Sequence, residues 1–156
     1  MNIGLAGTGY ISKIHARAVQ NCGAELSAVV NHKAESTESF AKEFGISRQY
    51  QNMESLLKED RLDALVIGTP NYRHAPQAIA ALHAGVHVMV EKPMAMNASE
   101  AEQMCEGAEK SGAVLMVAHC WRFDQDVLWL KERSVILGRI IRTKGYGVHT
   151  HWGPGG

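Results

Sequence analysis

A chain of 156 residues with 46% apolar and 21% charged side chains has the composition of a folded globular protein, which excludes an intrinsically disordered one. At this length a fold buries about 68 to 70% of the surface its unfolded chain exposes, enough for a core without disulfides or metals. Sixteen basic residues balance sixteen acidic ones, so the footprint of a general nucleic-acid or membrane-surface binder is missing and any partner must be recognised locally.

Short apolar runs alternate with segments of helical period, and glycine closes nearly every helix, a pattern that predicts βαβ units on a doubly wound, mostly parallel α/β sheet. Asn2 to Ala6 reads as a strand. Ile11, Ile14, Ala18, Val19 and Cys22 then recur at helical spacing, with Gly23 where a left-handed cap is wanted. Leu26 to Val30 is the next strand. A helix carries Phe40, Ala41 and Phe44 toward the core and stops at Gly45, and Met53 to Lys58 offers a shorter helix before the strand Asp63 to Ile67.

The second half repeats this grammar. Pro76 is a first-turn proline, Ala75, Ala78, Ile79 and Leu82 form a stripe, Gly85 caps, and Val86 to Val90 is a strand. Ser99 with Glu102 predicts a capping box, Ala101, Met104, Cys105 and Ala108 a buried stripe, and Val114 to Ala118 a strand buried on both faces. Asp124 to Ile136 is expected as a helix ended by Gly138, and Arg139 to Trp152 as a long strand kinked at Gly145 and Gly147. That strand has no later partner, so the expectation is a Rossmann-like unit over residues 1–120. Residues 121–156 would be the connecting helix and first strand of a second domain cut short, with pairing of 139–152 to another copy as one fate.

Apolar stretches fall far below the about 18 residues that cross a bilayer, and the N-terminus lacks a basic-then-apolar leader pattern. Cys22, Cys105 and Cys120 are odd in number and form no C-x-x-C pair, which predicts reduced, mostly packed thiols and a cytoplasmic setting.

Gly7-Thr8-Gly9-Tyr10-Ile11-Ser12 lies between the first strand and first helix. A tight turn, close backbone approach and exposed helical N–H groups there suit a pyrophosphate; the alternative is a glycine turn in some other doubly wound protein. Ser12 stands where a third Gly or Ala is usual. After the second strand comes Asn31-His32-Lys33 instead of a carboxylate. An amide does not repel a 2′-phosphate and Lys33 or protonated His32 attracts one, so NADP is permitted beside NAD; the other reading is a solvated turn.

Thr69-Pro70-Asn71-Tyr72-Arg73-His74 places polar groups beyond the carboxyl end of the fourth strand, where open α/β sheets bind ligands, although His74 alone reads as a helix-start or packing residue. Glu91-Lys92-Pro93 occupies the matching point after the fifth strand, where a cis Lys92–Pro93 bond would aim the ammonium into the cleft. In isolation Glu91 and Lys92 read as a solvated pair. His149 and His151, two apart on a presumed strand, lack a third ligand for a metal.

The Gly7 to Ser12 turn, Thr69 to His74, Ala84 to Val88 leading into Glu91-Lys92-Pro93, and Ala118 to Phe123 together resemble the glucose-fructose oxidoreductase, inositol dehydrogenase and rhizopine-catabolism (Gfo/Idh/MocA) family across essentially the whole chain. The resemblance implies a Rossmann domain binding NAD or NADP, followed by an α/β domain that supplies much of the pocket for a sugar, cyclitol or related polyol. It implies that Lys92 lies beside the nicotinamide and hydrogen-bonds the reacting hydroxyl or carbonyl. By the same resemblance, Glu91 helps to hold the cofactor, Thr69, Pro70, Asn71 and His74 line its nicotinamide half, and Trp121 and Arg122 border the substrate. The family's main acid or base would lie beyond residue 156, so this polypeptide by itself is expected to bind cofactor and turn over slowly or not at all. A non-catalytic nucleotide-sensing or assembly module of the same family is the alternative.

Overall fold

The computed structural model describes residues 1–59 and 61–144. Six strands form one wholly parallel sheet: β1 Asn2–Ala6, β2 Glu25–Val30, β3 Arg48–Tyr50, β4 Ala64–Ile67, β5 His87–Val90 and β6 Leu115–Val117, in the order β3-β2-β1-β4-β5-β6. Strand order reverses between β1 and β4, which opens a crevice at the carboxyl ends of the central strands.

Alternating strand residues feed two cores. On one face Leu5, Val29 and Val66 pack against Ala16 and Val19 of α1 (Tyr10–Asn21) and Phe40, Ala41 and Phe44 of α2 (Ala34–Phe44). On the other, Ala6, Val30, Leu65 and Ile67 meet Leu56 of α3 (Met53–Glu59), Ala78 and Leu82 of α4 (His74–His83) and Met104 of α5 (Ala98–Ser111). Gly45 and Gly112 end α2 and α5 in the left-handed conformation, at φ 69° and 70°, where a β-carbon would be strained.

The structure corrects several expectations. The stripe that α1 buries is Ser12, Ala16 and Val19; Ile14, Ala18 and Cys22 are exposed. Small residues lead this stripe because the helix start presses on the sheet at Gly68, where an added β-carbon would stand 2.8 Å from the Ser12 hydroxyl. The cap of α5 is Asn97, not Ser99: Asn97 Oδ1 accepts the Glu100 N–H at 2.9 Å, and the Glu100 carboxylate accepts from Asn97 Nδ2 and the Met96 N–H. The same three-residue spacing therefore operates two positions earlier. Cys105 lies on the exposed side of α5, and Gly107 is buried with Met104.

β6 is not buried on both faces: among the described residues it is the last strand of the sheet, and Met116 on it is 42% exposed. β3, a three-residue strand at the opposite edge, carries no hydrophobic pattern and is not marked in the sequence. All three cysteines are free and exposed rather than packed.

By its internal contacts the chain divides into two compact units, Met1–His119 and Cys120–Gly156. The second unit, taken by itself, has a helical turn at Cys120–Phe123, helix α6 over Gln125–Arg133 capped by the Asp124 carboxylate, and a further helical turn to Leu137. Residues 139–144 form no strand; the rest of the expected strand, with Gly145, Gly147, His149 and His151, lies outside the described residues. No helix among the described residues is long and apolar enough to cross a membrane.

Leu65 is fully buried at the centre of β4. Leu65→Ala is expected to lower unfolding free energy by about 2 to 5 kcal/mol, read by denaturant titration of the chain.

Candidate functional site

The turn from β1 into α1 runs close against the segment after β4. Gly7 has φ +99°, and a β-carbon there would stand 2.8 Å from the Gly68 carbonyl oxygen. Its N–H donates to Val30 O at 2.9 Å, which ties the turn to β2. Gly9, the N-cap of α1, supplies no side-chain cap, and the first turn of α1 holds no acidic residue. The leading amides of the helix thus keep their donors, and a β-carbon on Gly9 would meet nothing within 4 Å. That open cradle of N–H groups fits the pyrophosphate of a dinucleotide. Thr8 is half-buried beside it, Ile11 packs toward Gly68, and Tyr10 is 82% exposed.

Asn31, at the end of β2, joins this turn through Ser36. Asn31 Nδ2 donates to Ser36 Oγ at 2.8 Å, Ser36 Oγ donates to Lys33 O at 3.0 Å, and Thr8 Oγ1 lies 3.3 Å from Ser36 Oγ. His32 and Lys33 are exposed. A cavity of about 480 Å³ opens between the ends of β2 and β4; Asn31, His32, Gln51, Asn52, Thr69, Pro70, Tyr72 and Arg73 are among its lining residues, and none of the residues lining it is acidic.

After β4, Thr69 Oγ1 donates to Gln77 Oε1 at 2.6 Å, and Pro70 and Asn71, both exposed, open a single helical turn into α4. His74 is only 1% exposed. Its Nδ1 lies 2.7 Å from Pro93 O and its Nε2 2.8 Å from Thr69 O, so the ring joins the segment after β4 to the segment after β5. Carbonyl oxygens only accept, so a neutral ring serves one of them and a protonated ring both.

After β5, the Lys92–Pro93 bond is cis. Glu91 turns inward: Oε1 lies 2.9 Å from His15 Nε2 on α1, and Oε2 accepts the Lys92 N–H at 3.1 Å. Lys92 is exposed, and among the described residues its ammonium forms no hydrogen bond or ion pair. Trp121, 67% exposed, and Arg122 belong to the second unit. Three polar residues that sequence reasoning passed over are built into this edge: His15, Ser36 and Gln77. The only trace of His15 is a polar side chain on the turn of α1 that follows the glycine cradle; Ser36 and Gln77 leave none.

Residues 1–119 match the family model described as the oxidoreductase family, NAD-binding Rossmann fold (GFO_IDH_MocA). The chain belongs to the Gfo/Idh/MocA oxidoreductase family. Among its relatives, 4-carboxy-2-hydroxymuconate-6-semialdehyde dehydrogenase of a Sphingobium species is 33% identical over 86% of this chain and 43% of its own length. The scyllo-inositol 2-dehydrogenase (NADP(+)) of Bacillus subtilis is 32% identical over 76% of this chain and 36% of its own. Among solved structures, the WlbA dehydrogenase from Bordetella pertussis, in complex with NADH and UDP-GlcNAcA, superposes with a TM-score of 0.84 at 31% identity, covering 90% of this chain and 43% of that one. The chain therefore spans about two fifths of the length of such Gfo/Idh/MocA proteins. Its first unit is the family's NAD(P)-binding Rossmann domain.

The two cradle glycines are expected to behave differently. Gly7→Ala forces a β-carbon into a positive φ and against Gly68, and is expected to destabilise the fold by about 1 to 3 kcal/mol in thermal unfolding. Gly9→Val meets open space, so the melting temperature is expected to hold while the NADH and NADPH dissociation constants, read by calorimetry, rise at least about tenfold, or about 1.4 kcal/mol.

Proposed function

We propose that this chain supplies the cofactor half of an NAD(P)-dependent dehydrogenase acting on a secondary alcohol or ketone of a sugar, cyclitol or related polyol. The observation that carries this reading is the exposed Lys92 ammonium at the carboxyl edge of β5, on the same sheet edge as the open glycine cradle of β1. The cradle amides bind and orient the phosphates. The dinucleotide, when bound, supplies the hydride donor or acceptor. Lys92 hydrogen-bonds the reacting oxygen, stabilises negative charge that develops on it and helps its proton to move. Polyol chemistry is supported by relatives such as the scyllo-inositol dehydrogenase.

For the adenosine end, we read Asn31, His32 and Lys33 as accepting a 2′-phosphate. Support comes from the absence of any carboxylate among the residues lining the cavity beside Asn31 and from the presence of Arg73 there. Balanced net charge argues against a general nucleic-acid partner, and three free thiols suit the cytoplasm.

Assayed on a panel of polyols with NAD and NADP in a polypeptide extended past Gly156 to carry the second domain, hydride transfer, followed at 340 nm, is expected, and Lys92→Met is expected to lower it by about 100-fold or more while dinucleotide binding persists. An unchanged rate overturns the role given to Lys92; cofactor binding with no turnover on any substrate favours a nucleotide sensor. In direct titration, NADPH is expected to bind within about tenfold of NADH or more tightly. A larger preference for NADH overturns the reading of Asn31 to Lys33.

A further inference from the structure

Asn31 lines the cavity between the ends of β2 and β4 with one side of its amide already committed. Its Nδ2 donates to Ser36 Oγ at 2.8 Å and lies 3.5 Å from Lys33 O. A carbonyl oxygen only accepts, so the nitrogen of the amide and not its oxygen belongs on that side. Asn31 Oδ1 accepts no hydrogen bond among the described residues and is open to solvent. The Ser36 hydroxyl, by contrast, is fully used. It donates to Lys33 O at 3.0 Å and accepts from Asn31 Nδ2 and from Thr8 Oγ1, 3.3 Å away, which takes its one donor and both its lone pairs.

We propose that Ser36 is a positioning residue for the adenosine end of the dinucleotide: it holds the Asn31 amide so that Oδ1 is presented to the cavity as an uncharged acceptor for the ribose 3′-hydroxyl. This deepens the reading of Asn31 to Lys33 given above and rests on it. The 3′-hydroxyl is the group that suits such an oxygen, because NAD and NADP both carry it. An acceptor gains no bond from a 2′-phosphate and, being neutral, does not repel one, so that charge is left to the exposed Lys33. Either cofactor is thus met by the same bond, and Ser36 sets how well that bond is aimed. An amide free to turn loses that freedom when a ligand binds, whereas one already anchored does not. The anchor reaches further than Asn31, since Thr8 belongs to the glycine turn that forms the phosphate cradle. One hydroxyl therefore ties the ribose acceptor at the end of β2 to the turn after β1.

The test measures dissociation constants by calorimetry in the 156-residue chain for NADH, NADPH and an NADH analogue whose adenosine lacks the 3′-hydroxyl. Loss of that hydroxyl is expected to weaken binding to the original chain by about fivefold or more. In Ser36→Ala, NADH and NADPH are both expected to weaken by about threefold or more, and by the same factor within about twofold. The cost of losing the hydroxyl is expected to fall there to about twofold or less. Asn31→Ala is expected to show the same small cost, and adding Ser36→Ala to it is expected to change NADH affinity by less than about twofold, because Ser36 acts through Asn31. A loss confined to NADPH, an undiminished cost of the hydroxyl in Ser36→Ala, or additive effects in the double variant overturns the proposal. Should Ser36→Ala fail to fold, the isosteric pair Ser36→Thr and Ser36→Val decides: the first keeps the full cost of the hydroxyl and the second loses it, and equal costs overturn the proposal. If neither dinucleotide binds the original chain, the cofactor reading falls and this one with it; binding that ignores the 3′-hydroxyl overturns this proposal alone.

Discussion

The crossing of the β1–α1 turn over Gly68 is the constraint on which this sheet edge depends. Gly7 cannot carry a side chain because Gly68 O lies where the β-carbon would go, and Gly68 cannot carry one because Ser12 and Ile11 lie there. The two backbones can approach only if both positions stay bare. That approach fixes where α1 begins and therefore where its unpaired amides point. A helix start set further from the sheet would open its donors to water over the protein surface; set here, it faces the crevice between β1 and β4. The Ser12 hydroxyl fills the room that Gly68 vacates, so a serine does the packing that a third small residue of the turn would do.

Charge is distributed to match. The cradle carries only N–H donors, the cavity beside it holds Arg73 and His32 without a carboxylate, and Lys92 is exposed at the other side of the crevice. Glu91 belongs by sequence to this edge, yet its carboxylate is turned into the protein toward His15. An outward carboxylate would repel phosphate and compete for the ammonium next to it; turned inward, it leaves the edge to cationic and dipolar groups.

The doubly wound sheet was legible because its signals are local. Alternation of apolar runs with helical periods, glycine after each helix and a glycine turn after the first strand all follow from backbone geometry and need no tertiary knowledge. What was misread depends on neighbours that local pattern does not contain. Val114 to Ala118 reads as doubly buried, but β6 is a sheet edge, and edge position is decided by topology. Ile11 and Ile14 outrank Ser12 on hydrophobicity, yet the close crossing at Gly68 demands a small residue. Arg48 to Tyr50 has no strand signature and pairs because β2 offers it an open edge. Ser99 and Asn97 both stand three residues before a glutamate, and spacing alone does not choose between them.

The site divides along the same line. Gly7, Gly9 and the Glu91-Lys92-Pro93 step are visible because each is tied to the end of a recognisable strand. His15 and His74 contact partners 76 and 19 residues away in the chain, and those contacts come only from the fold. They approach the segment after β5 from helices on opposite faces, one lying against a side chain and the other against a backbone carbonyl. A loop held from one face can still pivot about that attachment. Attached on both faces, with Lys92 between the two attachments, the segment has less backbone freedom than one attached on a single face, while the Lys92 side chain stays exposed.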